Sequence, residues 1–202
     1  MSTFEPVIEQ IWANTASRSI DHLQFDPREW LQMRTGHNTT WDALAYLMSA
    51  YGSAYASLLP YHPLLADYTK SQLCGDIGKG IKACLSLCEA QEVFSVNLVN
   101  AHASMLLLQN SCNGDDSKQN FTSIAHLARL VIRTGLHLGT VHICFIQTQL
   151  EHKAFHRVFA MDKSIATSQG SPPQLTRRFN QSPLPLELSD EQLQQSGNEL
   201  EP

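Results

Sequence analysis

His152 and His156 stand one helical turn apart, a spacing at which two imidazoles can hold a zinc ion if a third ligand arrives from elsewhere. Lys153-Ala154-Phe155 lies between them, so the position where a zinc protease keeps its glutamate base carries a lysine. The plainer reading is two surface or half-buried histidines. Cys84 and Cys88 share a helix face at the same spacing, with no second Cys or His pair nearby to complete a tetrahedron. They read better as small buried apolar side chains. Gly75-Asp76-Ile77-Gly78-Lys79-Gly80 hints at a phosphate loop, but the spacing is wrong, no Ser or Thr follows the lysine and no strand precedes it. It reads as a flexible joint before a helix. No Gly-x-Ser-x-Gly elbow marks a nucleophile. Arg177-Arg178 can touch phosphate, yet two arginines serve equally as loop charges. The expectation is a non-enzyme with no cofactor and no metal site.

Composition narrows the class. The chain has 202 residues, 43% hydrophobic and 16% charged, which fits one large globular domain with loose ends. A net charge of −5 with 14 basic residues disfavours a grip on phosphate backbones. Five irregularly spaced cysteines point to a reducing compartment rather than a disulfide scaffold. No secretory signal pattern follows Met1, so the sequons at Asn38, Asn120 and Asn180 read as chance matches. The most apolar stretch, 105–108, falls far short of the roughly 20 residues a membrane span needs, so no membrane association is expected.

The elements that would position these residues are helical. From Trp41, the positions Leu44, Ala45, Met48, Tyr51, Tyr55 and Leu58 form one stripe, with Thr39 and Asp42 placed like a capping box and Pro60 as the stop. Helical stretches over 81–87 and 93–108 follow, then a loop at Asn113-Gly114-Asp115-Asp116. Phe121, Ile124, Ala128, Val131, Ile132 and Gly135 mark the most regular amphipathic helix, with Arg129 and Arg133 on its far side. A last helix, about 150–168, aligns Ala154, Phe155, Val158, Phe159 and Ile165, and Asp162 falls on that same face. A carboxylate among apolar residues requires a fixed partner. Beyond Gly170 the composition turns to Ser, Pro, Gln and Asn, and residues 187–202 carry five acids and no base. This predicts an extended segment and a disordered acidic tail. No strand alternation or internal repeat is present.

An ordered set of short motifs runs through the second half: Ala128-Arg129, Gly135-Leu136-His137, Phe155, Met161-Asp162-Lys163-Ser164, Gly170-Ser171-Pro172-Pro173 and Leu184-Pro185. The set resembles the middle homology region of fungal zinc-cluster transcription factors. Upstream, Arg34-Thr35-Gly36-His37-Asn38 with Trp41-Asp42 is similar to the start of that region in one subset of the family. The likeness covers residues 30–188. It implies an all-α, irregular multi-helix domain that tunes an activator in the nucleus through proteins of the transcription machinery, a full-length relative or a small-molecule effector. Residues 1–29 would be a helical lead-in, 30–188 a truncated regulatory domain and 189–202 the acidic tail. Arg129, Gly135, His137, Asp162, Gly170 and Pro172 would have structural roles, with the acid and a base as a buried pair and Gly170 as a turn.

This sequence also departs from the pattern. The six-cysteine zinc cluster that reads DNA in family members is absent, so neither its zinc nor direct DNA binding is expected of this chain. His156 stands where a Trp is usual, Ser171 where an Arg is usual, and the link after the Gly-Leu-His is the apolar Val141-His142-Ile143-Cys144-Phe145-Ile146. That link is either a helix extension or sequence that different splicing would omit. Two other functions fit a helical chain: a ligand-binding module with a pocket lined by Trp41, Tyr51 and Phe155, and a metal-dependent hydrolase using His152 and His156.

Overall fold

A computed structural model describes residues 5–17, 35–59, 61–65, 69–113, 117–141, 145–189 and 192. Among them the chain is all-α and irregular: helices α1 (Glu5–Ala16), α2 (Trp41–Ser57), α3 (Lys70–Ala90), α4 (Val96–Asn113), α5 (Ser117–Arg133) and α6 (Phe145–Gln169), with short 3-10 turns between several of them. No described residue is in a strand. Part of the expected lead-in, the centre of the expected 113–116 loop, part of the 141–146 link and nearly all of the acidic tail lie outside the described residues.

The layout follows from which helices can bury more than one face. α4 carries Leu98, Val99, Ala101, Ala103, Leu106 and Leu108, all buried and spread around its circumference, so it packs against α2, α3, α5 and α6 together. Its small residues Ala101 and Ala103 are completely buried, and small side chains at such positions let neighbouring helices approach closely. α3 contributes Ile81, Cys84, Leu85 and Cys88 to the same core, and α6 contributes Phe155 and Val158. Full burial of a Phe side chain stabilises by about 2–3 kcal/mol, so Phe155 is a main anchor of α6.

Several elements differ from the sequence expectation for identifiable reasons. The stretch at 75–80 is no joint: it lies inside α3, which starts earlier, at a true capping box formed by Thr69 and Gln72. Gly80 lies under the flexible end of Met48 on α2, whose Cε would be 2.2 Å from a Cβ at that position and would have to turn aside. Gly52 on α2 has the packing role, since a Cβ there would lie 2.7 Å from Leu108 and 3.0 Å from Ile77, both branched side chains in the helix interface. Glycines lower helix propensity by about 1 kcal/mol each, and here helix packing outweighs that cost.

The capping box expected from Thr39 and Asp42 is not made. Thr39 Oγ1 donates instead to the Gly36 carbonyl. The open N–H of Trp41 donates to Thr15 Oγ1 at 3.0 Å, so α1 caps α2 from outside. Asp42 is fully buried and accepts from Ser95 Oγ at 2.7 Å, while Ser95 caps α4 by accepting from Leu98 N. The amphipathic face of α5 is also narrower than its sequence stripe. Ile124, Leu127, Ala128 and Val131 are buried, whereas Phe121 and Ile132 flank the contact arc and stay exposed.

Candidate functional site

The sequence-named residues fall into one knot and several scattered positions. Asp162, 1% exposed in the last third of α6, is at the centre of the knot. Its Oδ1 accepts from Gln174 N at 2.8 Å and its Oδ2 from Leu175 N at 3.0 Å, while Lys163 Nζ donates to Oδ2 at 2.8 Å. Lys163 Nζ also donates to the Leu175 carbonyl and lies 4.2 Å over the Phe159 ring. Asp162 thus has its fixed partners, but they are two backbone N–H groups and the adjacent lysine. Arg129 is not its base: exposed on α5, its guanidinium donates to His126 Nδ1 at 3.2 Å. A base next in sequence reaches Asp162 at less cost in ordered chain than one on another helix.

Gly170 makes the turn that lets residues 174 and 175 return to Asp162. With φ +63, it ends α6 while Ser171 N donates to the Ala166 carbonyl, the αL cap that glycine adopts without a Cβ clash. Pro172 follows as an exposed residue of the departing chain. From there residues 171–189 run back along α6 with one 3-10 turn, Arg177–Phe179. Polar side chains of α6 hold this strap: Gln149 Oε1 accepts from Leu186 N at 2.9 Å, and Lys153 Nζ donates to the Leu188 carbonyl at 3.4 Å. His156 Nε2–H donates to the Pro183 carbonyl at 2.8 Å, so this histidine is a strap contact. His152 is buried in α6. The pair considered for zinc therefore does not open into a common site.

The Gly135-Leu136-His137 motif backs the strap from the other side. Gly135, with φ +77, ends α5 and opens the Leu136–Leu138 turn. The His137 carbonyl accepts from Gln181 N at 2.8 Å. Gly139, two residues on, has φ +64, and a Cβ there would lie 2.6 Å from Ser182 Cα. Four of the six named residues thus cooperate in placing one extended segment, Arg129 faces solvent, and Pro172 begins that segment.

The aromatic pocket is not assembled. Phe155 is buried against Phe159 and Trp41 is buried at the start of α2, whereas Tyr51 is 62% exposed and tilted against Tyr55. Cys74, Cys84 and Cys88 are buried thiols, and burial pushes Cys84 up from its ordinary pKa, which suits a packing role rather than a nucleophile.

A second constellation was not legible in the sequence because its members come from three helices. Glu89 near the end of α3, His102 in α4 and His126 in α5 each offer one ligand atom, and these atoms all lie within 4.8 Å of one another. The two imidazole rings are 4.7 Å apart at an angle of 51°. His126 Nε2 stands 3.7 Å from Glu89 Oε1, too far for a hydrogen bond. Both His102 Nε2 and His126 Nε2 are buried without a hydrogen-bond partner. Burial, reinforced by His126, pushes His102 down to about 4, and burial lowers His126 too, with Glu89 opposing and Arg129 assisting. Both rings are neutral near pH 7. The only local hint in the sequence is a histidine flanked by Ala101 and Ala103, a pattern shared by ordinary core histidines.

Comparison of the chain with protein-family profiles, with curated proteins and with solved structures returned no match. No described helix is long and apolar enough to cross a membrane.

Proposed function

We propose that this chain is a regulatory module of the kind found in the middle homology region of fungal zinc-cluster transcription factors, acting in the nucleus without catalysis and without reading DNA. The observation that supports this reading most is the Asp162 knot. Met161-Asp162-Lys163-Ser164 and Gly170-Ser171-Pro172-Pro173, separate motifs in the sequence, belong to one unit whose carboxylate fixes the backbone just past the prolines. The Gly135-Leu136-His137 motif backs the same strap through the His137 carbonyl. Gly135, His137, Asp162 and Gly170, four of the residues that carry the resemblance, thus share one structural task.

Such a module works through contacts. Its partners would be proteins of the transcription machinery or a full-length relative, with a small-molecule effector as a further input. Exposed apolar side chains, among them Trp12 on α1 and Leu47 and Tyr51 on α2, suit protein contact better than chemistry. The test is to fuse residues 1–202 to a heterologous DNA-binding module in a fungal cell carrying the matching reporter. A reporter output raised or lowered against the module alone supports the reading. An unchanged output from a nuclear, folded fusion would overturn it.

A further inference from the structure

We infer that Glu89, His102 and His126 form a binding site for one divalent transition-metal ion, zinc foremost, at the junction of α3, α4 and α5. The site is distinct from the Asp162 knot and does not depend on the regulatory reading. Two imidazoles and one carboxylate with a fourth position open to water or a partner's side chain form a donor set that zinc accepts. Imidazole nitrogen also favours zinc, copper or nickel over calcium or magnesium, which prefer oxygen alone.

The geometry is close to what such an ion requires. Bonds of about 2.0–2.2 Å in a tetrahedron place ligand atoms about 3.4 Å apart. His126 Nε2 and Glu89 Oε1 already stand at 3.7 Å, and all three ligand atoms lie within 4.8 Å. The carboxylate closes the remainder most easily, because the Glu89 side chain is 53% exposed and can change rotamer without disturbing the core. The two histidines sit on helices packed against each other, so their placement is already set by the fold. Their Nε2 atoms, buried and unpartnered, are the atoms such an ion would use. Both rings are neutral near pH 7, the form in which imidazole ligates.

Arg129 gives the site an internal control. A guanidinium only donates, so its contact at 3.2 Å assigns the acceptor role to His126 Nδ1 and the proton to Nε2. Metal on Nε2 reverses this tautomer and puts the proton on Nδ1, which obliges Arg129 to swing away. Arg129→Gln removes the opposing cation and supplies a carbonyl that can accept from Nδ1–H, so it should tighten the site.

The experiment uses the whole chain and zinc itself, titrated against a chelator of known affinity, with cobalt as a spectroscopic stand-in. The expected result is one zinc per chain, a raised melting temperature and a four-coordinate cobalt spectrum without a thiolate charge-transfer band. Glu89→Gln, at an exposed position, should weaken zinc by more than about tenfold while leaving the metal-free melting temperature unchanged, since even an outer-shell partner is worth that much. His126→Gln should abolish uptake, and Arg129→Gln should increase it. Failure of the wild-type chain to retain zinc would overturn the inference. So would uptake indifferent to Glu89→Gln and His126→Gln, or a thiolate band placing the ion at the cysteines.

Discussion

Replacing Asp162 by asparagine keeps the shape of the side chain and removes half of its accepting capacity. The carboxylate receives Gln174 N–H on one oxygen and Leu175 N–H on the other, with Lys163 joining the second. An amide can satisfy only one of those sides, because its NH2 group presents hydrogens to donors on the other. The amide oxygen serves best on the side of the buried Leu175 N–H and Lys163, which leaves the part-buried Gln174 N–H facing the NH2 group at a cost of about 1–3 kcal/mol. The Lys163 ion pair adds less, at most about 1 kcal/mol, since that side chain is 36% exposed and screened by water. The sum is about 3 kcal/mol, a large part of the roughly 5–15 kcal/mol that holds a domain folded. For a chain of this size it corresponds to a fall in melting temperature of roughly 6–12 °C. The assay is far-UV circular dichroism during thermal melting, with urea unfolding alongside. A melting temperature equal to wild type would show that the strap contributes nothing to stability and would refute the reasoning.

Other outcomes follow from the same geometry. Gly139→Ala adds a Cβ within 2.6 Å of Ser182 Cα at a residue with φ +64, so it should cost about 2 kcal/mol or more and expose the strap to protease, checked by melting and limited proteolysis. Thr15→Val removes the hydroxyl that caps Trp41 N and should cost about 1 kcal/mol, read from urea unfolding, with the loss confined to α1 docking. Acid should destabilise the fold before carboxylates titrate. With its folded pKa lowered to about 4, His102 takes up its proton more readily in the unfolded state, so stability is full above about pH 6.5 and falls as pH drops toward 4. The loss reaches about 3 kcal/mol below that window. His126 acts in the same direction against the opposing charge of Glu89, and His102→Gln should flatten the decline in pH-dependent melting curves.

The helices were legible where an apolar period ran without interruption, as in α6 from Ala154 to Ile165. They were misread where tertiary packing overrode local preference. The glycines of α3 look like punctuation in a sequence, yet they lie inside a helix that starts at the Thr69–Gln72 capping box. Likewise, a threonine two residues before Trp41 suggested a local cap, but the cap comes from Thr15 on another helix. Asp162 was legible as an acid on an apolar face needing partners. Its actual partners were not, because two backbone N–H groups past a proline pair leave no mark in residue type. The Glu89, His102 and His126 cluster was invisible for a stronger reason: three helices bring together residues whose sequence neighbours say nothing of one another.

The central claim is that regulation belongs to the folded helical unit with its strap. The most direct measurement is the tethered reporter read across wild type, Lys163→Ala, Asp162→Asn and Asp162→Ala, at matched nuclear protein level and growth temperature. The account predicts that the effect on the reporter declines in the order of the measured loss of folded protein and disappears in the most destabilised variant. Full effect from an unfolded Asp162→Ala chain would contradict it.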